Sequence, residues 1–261
     1  MTTETSMAAP GPAGAVARAL TLLYGVGTYL FFFGTFLYLI GFVGNWVVPK
    51  GIDDGTPAAS AGAAVAINVL LLGLFAVQHT IMARPAFKEV WTRWVPWHVE
   101  RSTFVLLSTA ILAVMAWQWH PLPTLVWRIE SPLAAALLVG LSLAGWGIVL
   151  MSTFLIDHFE LFGVKQTVSY ALGRRHEPPK FRERLLYRWV RHPLMVGFLI
   201  AFWATPTMSQ GHLLFAGVIT LYVLIAIQIE ERTLVHLHGE QYRGYQRRVP
   251  MLLPFGSRRP G

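Results

Sequence analysis

The stretch RHPLMVGFLIAFWATPTMSQGHLLFAGVITLYVLIAIQIEE, residues 191 to 231, places a cation, an imidazole and a proline at one end and a carboxylate pair at the other. No Lys, Arg, Asp or Glu lies between them. In lipid such a run satisfies its backbone only as helix, and a helical hairpin brings its two ends back to the same membrane face. Arg191, His192, Glu230 and Glu231 are therefore expected to meet, and chemistry is expected there.

The rest of the chain agrees with a bilayer setting. Hydrophobic residues make up 54% of it and charged residues only 13%, and several apolar runs reach the roughly 20 residues that cross about 30 Å of hydrocarbon. The expected fold is all-α, a polytopic membrane helical bundle of about six spans: Leu20–Val43, Gly62–Met82, Ser102–Trp119, Pro132–Ile156, Pro193–Met208 and Leu213–Ile229. The fifth rises only about 24 Å as a helix. It either crosses with little tilt, thins the bilayer, or forms a re-entrant hairpin with the sixth.

Every Lys and Arg except Lys50 and Arg128 falls on the side that carries the N-terminus in this arrangement. Basic residues favour the cytoplasmic side, so both termini are expected there. The formal charge of +8 follows from that asymmetry and from anionic lipid headgroups, and calls for no nucleic acid partner. Residues 1–18, small and Pro/Gly-rich at the start, read as a disordered tail without a cleavable signal. Residues 19–255 read as a single membrane domain whose cofactor-binding part is 157–255, and 256–261 as a C-terminal tail. The absence of cysteine excludes disulfides, thiolate metal sites and cysteine nucleophiles. His236 and His238 are two apart and face apart on a helix, and the spans hold no metal-ligand spacing, so no metal is expected. No Gly-rich turn follows a strand, which excludes a Rossmann-type cofactor site.

Glycines 27, 34 and 41 share one side of the first span, and Gly140, Ala144 and Gly147 nearly share a face of the fourth. Both sets are expected to let neighbouring helices approach closely. Trp46, Trp117, Trp119 and Trp127 stand near span ends as expected interfacial anchors. Pro193 suits the first turn of a helix, which holds Arg191 and His192 beside an anion-favouring N-terminus. Beyond Glu231, the pattern His238-Gly239, Tyr242, Tyr245, Val249-Pro250 suggests a short surface helix ending in a loop, with Arg243, Arg247 and Arg248 among headgroups.

An acid, a cation and an aromatic slot together suit a ligand such as S-adenosylmethionine. Glu230 or Glu231 would take its ammonium, Arg191, His192 and the helix N-terminus its carboxylate, and Tyr187, Tyr242 or Trp189 its adenine. The residue chemistry permits that ligand without selecting it, since a membrane protein with a basic inner face carries the same charges.

The ordered pattern Tyr187-x-x-x-Arg191-His192-Pro193-x-x-x-Gly197, Glu230-Glu231-x-x-Leu234, His238-Gly239-x-x-Tyr242-x-x-Tyr245 and Val249-Pro250-x-x-x-Pro254 resembles the C-terminal signature of the isoprenylcysteine carboxyl methyltransferase superfamily. The segments Gln78 to Pro85, Glu100-Arg101-Ser102, Asp157 to Gly163 and Arg248 to Pro254 resemble its methanethiol S-methyltransferase branch, with the NnrU proteins as neighbours. The resemblance implies S-adenosylmethionine as cofactor, bound by Gln166, Tyr187, His192, Pro193 and Glu230 with Arg191 and Glu231 beside them. It also implies a small thiol substrate, transfer of a methyl group to methanethiol, and residence in a bacterial inner (cytoplasmic) membrane. Ala226 stands where carboxyl methyltransferases place an arginine for a substrate carboxylate, which disfavours an anionic prenyl-cysteine. Met195 stands where many relatives have tyrosine.

A thiol with a reference pKa of about 8.5 is mostly protonated at neutral pH, so its transfer chemistry calls for a base or a stabilising cation. The candidates are His79, at the end of the second span, and His158, with Asp157 or Glu160 as an orienting carboxylate; the alternative role for each is an interfacial hydrogen bond. Two further functions fit the same spans, an NADPH-dependent membrane reductase and a non-enzymatic NnrU-like accessory or transport protein. An internal repeat of the kind transporters carry is not evident in the chain.

Overall fold

A computed structural model describes residues 14–177 and 183–254. Of the two expected tails, residues 1–13 and 256–261 lie outside the described residues. In chain order the elements are α1 (Ala15–Gly44), α2 (Ala61–Met82), α3 (Pro85–Trp91), α4 (Trp97–Gln118), β1 (Leu125–Arg128), α5 (Pro132–Ile156), α6 (His158–Leu161), α7 (Val164–Ala171), a 3-10 turn (Leu185–Arg188), α8 (Pro193–Trp203), β2 (Thr207–Ser209), α9 (Gln210–His238) and α10 (Glu240–Arg248). Among the described residues, α1, α2, α4, α5 and α9 are long and apolar enough to cross a membrane. The protein is an all-α integral membrane protein. The described residues form two compact units, one built on residues 124–156 and 183–254, the other on residues 14–123 and 157–177.

In the first unit the expected span Pro193–Met208 is corrected. Helix α8 stops at Trp203 after 11 residues, about 16 Å of rise. Pro206 explains the stop, because it brings no N–H and biases Thr205 away from helical backbone. The chain continues extended into β2, which pairs antiparallel with β1 through Trp127↔Met208 and Arg128↔Thr207. Ser209 then caps α9, its hydroxyl accepting from the His212 N–H at 3.0 Å. The short helix, about 16 Å, plus up to about 20 Å of extended chain is enough to match the roughly 30 Å that α9 covers between Gln210 and Glu231. The two ends of the hairpin therefore return together.

Helix α8 packs most extensively on α5. A Cβ on Gly145 would stand 2.7 Å from the Gly197 carbonyl and 2.6 Å from the Ala201 nitrogen, so backbone meets backbone there. Ser142 donates to the Ala201 carbonyl at 2.8 Å beside this contact. The small-residue expectation is thus displaced along the helix: no described atom lies within 4 Å of a Cβ placed on Gly27, Gly34, Gly140 or Gly147. Those glycines do share a helix face, but the packed face is a different one.

The second unit packs α1 against α4 and α7, and α2 against α4. Gly163 holds φ +82°, and any Cβ there would meet the Ser102 nitrogen at 2.6 Å, so only glycine lets the α6–α7 turn sit on α4. The expected span from Ser102 instead begins at Trp97, after Pro96, which draws Glu100 and Arg101 into the helix. At the other end of the unit, Asn68 closes two hydrogen bonds with the His120 backbone, at 2.8 and 3.0 Å. Trp119 is corrected from anchor to core: it is 1% exposed and its ring meets Phe42 edge-on. Trp117 remains 70% exposed, in keeping with an interfacial position.

The close approach of α5 and α8 yields a direct expectation. Gly145→Ala lowers the thermal unfolding temperature of the detergent-solubilised protein, with an overpacking cost of about 1 to 3 kcal/mol. Gly140→Ala, on open space, leaves it unchanged or slightly raised, since alanine is the better helix former.

Candidate functional site

The first unit gathers Arg191, His192, Glu230 and Glu231 as the hairpin demands. Two extended backbone groups start the arrangement: the Arg191 N–H donates to the Pro250 carbonyl at 2.9 Å and the His192 N–H to the Met251 carbonyl at 3.2 Å. The segment after α10 is thereby laid across the entry to α8, whose first residue is Pro193.

Four donors converge on one carboxylate. Arg191 Nε and His192 Nε2 meet Glu231 Oε1 at 2.6 and 3.0 Å. Arg191 Nη2 and Gln246 Nε2 donate to Oε2 at 3.2 and 2.9 Å. The guanidinium is bidentate on the carboxylate, a strong geometry, and Arg191 Nη1 spends its hydrogens on the Gln246 and Val249 carbonyls at 3.2 and 2.5 Å. Both side chains of this pair are only 11% exposed. Arg191 and Glu231 thus spend most of their bonding capacity within this network and tie α8, α9 and α10 together.

Glu230 is different. Its side chain is 50% exposed, and among the described residues its one ionic neighbour is His192 Nδ1, 3.7 Å from Oε2. The imidazole of His192 consequently lies between a saturated carboxylate and an unsaturated one. Tyr187, on the 3-10 turn, is half-buried near Glu230; burial first, and the Glu230 charge second, push its phenol above the ordinary range, so it stays a hydrogen-bond donor. Its carbonyl accepts from the Tyr245 hydroxyl at 2.6 Å. Tyr242 and Tyr245 are buried with Val249 in a small core between α9 and α10. Trp189 is 69% exposed. An open depression of about 280 Å³, lined by Gln228, Glu231, Arg232, Val235 and Gln246, adjoins the network.

Gln166, His79 and His158 belong to the second unit and have their own surroundings. Gln166 is 8% exposed, and its amide donates to Glu160 Oε1 at 2.8 Å; its own Oε1 is buried with no partner among the described residues. His158 Nε2 meets the Tyr29 hydroxyl at 2.9 Å. Burial lowers the pKa of His158 and the Asp157 charge opposes that shift, so the ring is neutral at pH 7. The two expected orienting carboxylates have partners of their own. Asp157 accepts from the Glu160 N–H and pairs with Lys165, and Glu160 is taken by Gln166 and by His176 Nε2 at 3.1 Å. Burial, opposed by His176, raises Glu160 above the usual carboxylate range. His79 packs its ring against Phe75 and Phe104 at 5.3 and 5.1 Å.

Gln246 and His176, the partners of Glu231 and Glu160, were not legible in the sequence. Gln246 lies on a helix that reads as headgroup-facing, and His176 stands in a basic loop with no spacing to mark it.

Comparison with known proteins adds to this geometry. The chain is 50% identical to methanethiol S-methyltransferase 1 of Bradyrhizobium diazoefficiens over 240 residues, 92% of this chain and 84% of that one. It is 51% identical to the methanethiol S-methyltransferase of Mycobacterium tuberculosis over 241 residues, 92% and 98% of the two chains. It is 51% identical to that of Pseudomonas deceptionensis over 250 residues, 96% and 95% of the two. No family model matches the chain, and no solved structure does.

The unequal state of the two glutamates predicts unequal mutants. Glu231→Ala strands a desolvated guanidinium and costs about 3 to 5 kcal/mol of stability, read as a large fall in thermal unfolding temperature and faster amide exchange over residues 249–251. Glu230→Ala leaves both close to wild type.

Proposed function

The chain belongs to the methanethiol S-methyltransferases, and on that footing we propose that it transfers a methyl group from S-adenosylmethionine to methanethiol, giving dimethyl sulfide and S-adenosylhomocysteine, at the cytoplasmic face of a bacterial inner membrane. The observation that supports this reading best is the half-exposed Glu230 carboxylate, held beside His192 and Tyr187 while its neighbour Glu231 is saturated.

The residues fit the cofactor selectively. An ammonium needs a carboxylate with unspent acceptor capacity, and Glu230 has it where Glu231 does not. A ligand carboxylate needs donors, and Arg191 has already committed four of its five N–H groups; that role falls chiefly to the N-terminal turn of α8, where backbone N–H groups and the helix dipole favour an anion. Tyr187 supplies an aromatic face and a protonated hydroxyl. Arg191 and Glu231 act as positioning residues, fixing the Glu230 backbone and the His192 ring.

S-adenosylmethionine, when bound, supplies an electrophilic methyl group on a sulfonium centre. The chain's part is to hold reactants in line and exclude water, because a soft sulfur nucleophile and a sulfonium neutralise each other on the way to product and gain from a dry site. Ala226 lies on α9 one turn before Glu230. With no cation at that position, an anionic prenyl-cysteine has no counter-charge, whereas a small neutral product such as dimethyl sulfide needs none. The reductase and accessory-protein alternatives draw no support from the relatives.

Purified protein incubated with S-adenosylmethionine and methanethiol is expected to release dimethyl sulfide into the headspace. Glu230→Gln weakens S-adenosylhomocysteine binding at least tenfold by calorimetry, with the unfolding temperature preserved. Undiminished binding in Glu230→Gln contradicts the assignment of the ammonium partner, and no dimethyl sulfide from wild-type protein with bound cofactor contradicts methanethiol as acceptor.

A further inference from the structure

The second unit contains a cation that neither the cofactor assignment nor the comparisons use. Arg101 lies in the first turns of α4, and its Nε donates to the Leu161 carbonyl at 2.7 Å. That bond is set by the close seating of the α6–α7 turn on α4, where Ser102 Oγ also donates to the Gly163 carbonyl at 3.2 Å. The face of the guanidinium rests on Phe104, its central carbon 4.8 Å from the ring centroid. Nε and one π face are thus occupied, and no described residue accepts from the two terminal amino groups. A guanidinium in a poorly solvated place usually ends on a carboxylate, but here the nearby acids are directed elsewhere. Glu100, its neighbour on the helix, lies 3.8 Å from Lys88, and Glu160 Oε1 takes Gln166 and His176.

The Phe104 ring under the guanidinium belongs to an apolar, largely aromatic cluster that includes one thioether. Phe104 packs with buried Met82 and Val105, and with Phe32, Phe87, Trp91 and Phe162 around them. The His79 ring stands 5.1 Å from the same Phe104 ring. A cation set in an apolar, polarizable wall matches a small alkyl thiolate: the alkyl group meets the aromatic and thioether surface, and the charge meets the guanidinium. It does not match a large acid, which would bring more polar surface than this wall can satisfy.

Resting on the methyltransferase reading above, we propose that Arg101 holds the acceptor thiol as its thiolate, so that the second unit selects and activates the acceptor by electrostatic stabilisation rather than by a histidine base. The S–H bond breaks with its electron pair left on sulfur, and the proton goes to solvent buffer. No other bond changes in this step. Without help at most a few per cent of such a thiol is ionised at pH 7, the cysteine value being an upper bound for a simple alkyl thiol. A desolvated cation at contact distance raises that fraction by an order of magnitude or more. The groups facing Arg101 are Glu100 on α4, Lys88 on α3, His79 on α2 and Glu160 on α6; the two acids weaken its field, Glu100 reaching Lys88 only at 3.8 Å through Oε2 while its Oε1 is buried without a partner among the described residues, and Glu160 Oε1 being taken by Gln166 and His176.

The test is the pH dependence of kcat at saturating methanethiol, which reports ionisation in the bound complex. Wild type is expected to reach its plateau below the ordinary thiol range of about 8.5. In Arg101→Gln, kcat at pH 7 falls about tenfold or more and its rise with pH moves up by about one unit, while Arg101→Lys keeps most of the wild-type profile. S-adenosylhomocysteine affinity, which also reports folding, is the same in all three. An unchanged midpoint in Arg101→Gln, or an equal loss at every pH, overturns the proposal. Thiocyanate, a small soft anion, is the second probe and depends on no variant: it should raise the methanethiol KM of wild type without changing kcat, and absence of that competition overturns the proposal even if Arg101→Gln fails to fold. Wild-type protein that forms no dimethyl sulfide at any pH refutes the methanethiol reading instead, so the two failures are distinguishable.

Discussion

The first unit is organised around the carboxylate of Glu231. Four hydrogen bonds reach it from Arg191, His192 and Gln246, drawing on the entry to α8, the exposed end of α9 and the short helix α10. A carboxylate has about four lone-pair positions, and here all are used. The saturation has two effects. It makes a poorly solvated ion pair tolerable, since a buried charge is costly mainly when its partners are incomplete. It also leaves Glu230, the adjacent residue on the same helix, as the acid with capacity to spare. Neighbours on a helix point in different directions, so one glutamate builds the frame while the other faces outward from it.

That division depends on length. Helix α8 is too short to match α9 as a helix, and Pro206 ends it early; the extended run into β2 supplies the missing reach. Backbone contact between Gly145 and α8 then fixes the height of the short helix against α5. Had α8 continued to Met208, His192 and Glu231 would be out of register by several ångströms. The small two-stranded sheet is therefore part of what positions the charged cluster at the opposite end of the hairpin.

Much of this was legible in the residues. The uncharged run between Pro193 and Ile229 established the hairpin and hence the meeting of Arg191, His192 and the two glutamates, and its flanking motifs pointed to the methyltransferase family. What the sequence could not assign was which polar groups neutralise which. Asp157 and His158 are adjacent, yet Asp157 goes to Lys165 and His158 to Tyr29, because partners are chosen by tertiary approach and not by position in the chain. The glycine pattern misled for a related reason. Periodicity identifies residues that share a helix face, but not which face is packed, and Gly140 and Gly147 lie on the open side while Gly145 makes the contact. Arg101 entered the sequence reading only as part of the Glu100-Arg101-Ser102 motif, with no role attached, because spacing along a helix does not say what a side chain meets; the seating of the α6–α7 turn reveals where its guanidinium points.

The central claim is that Glu231 is framework and Glu230 is ligand. An experimental structure of the protein with S-adenosylhomocysteine tests it most directly. The account predicts the ligand ammonium within about 3 Å of a Glu230 oxygen, with Arg191 still bidentate on Glu231. A ligand ammonium on Glu231, with Arg191 released to the ligand carboxylate, would contradict it.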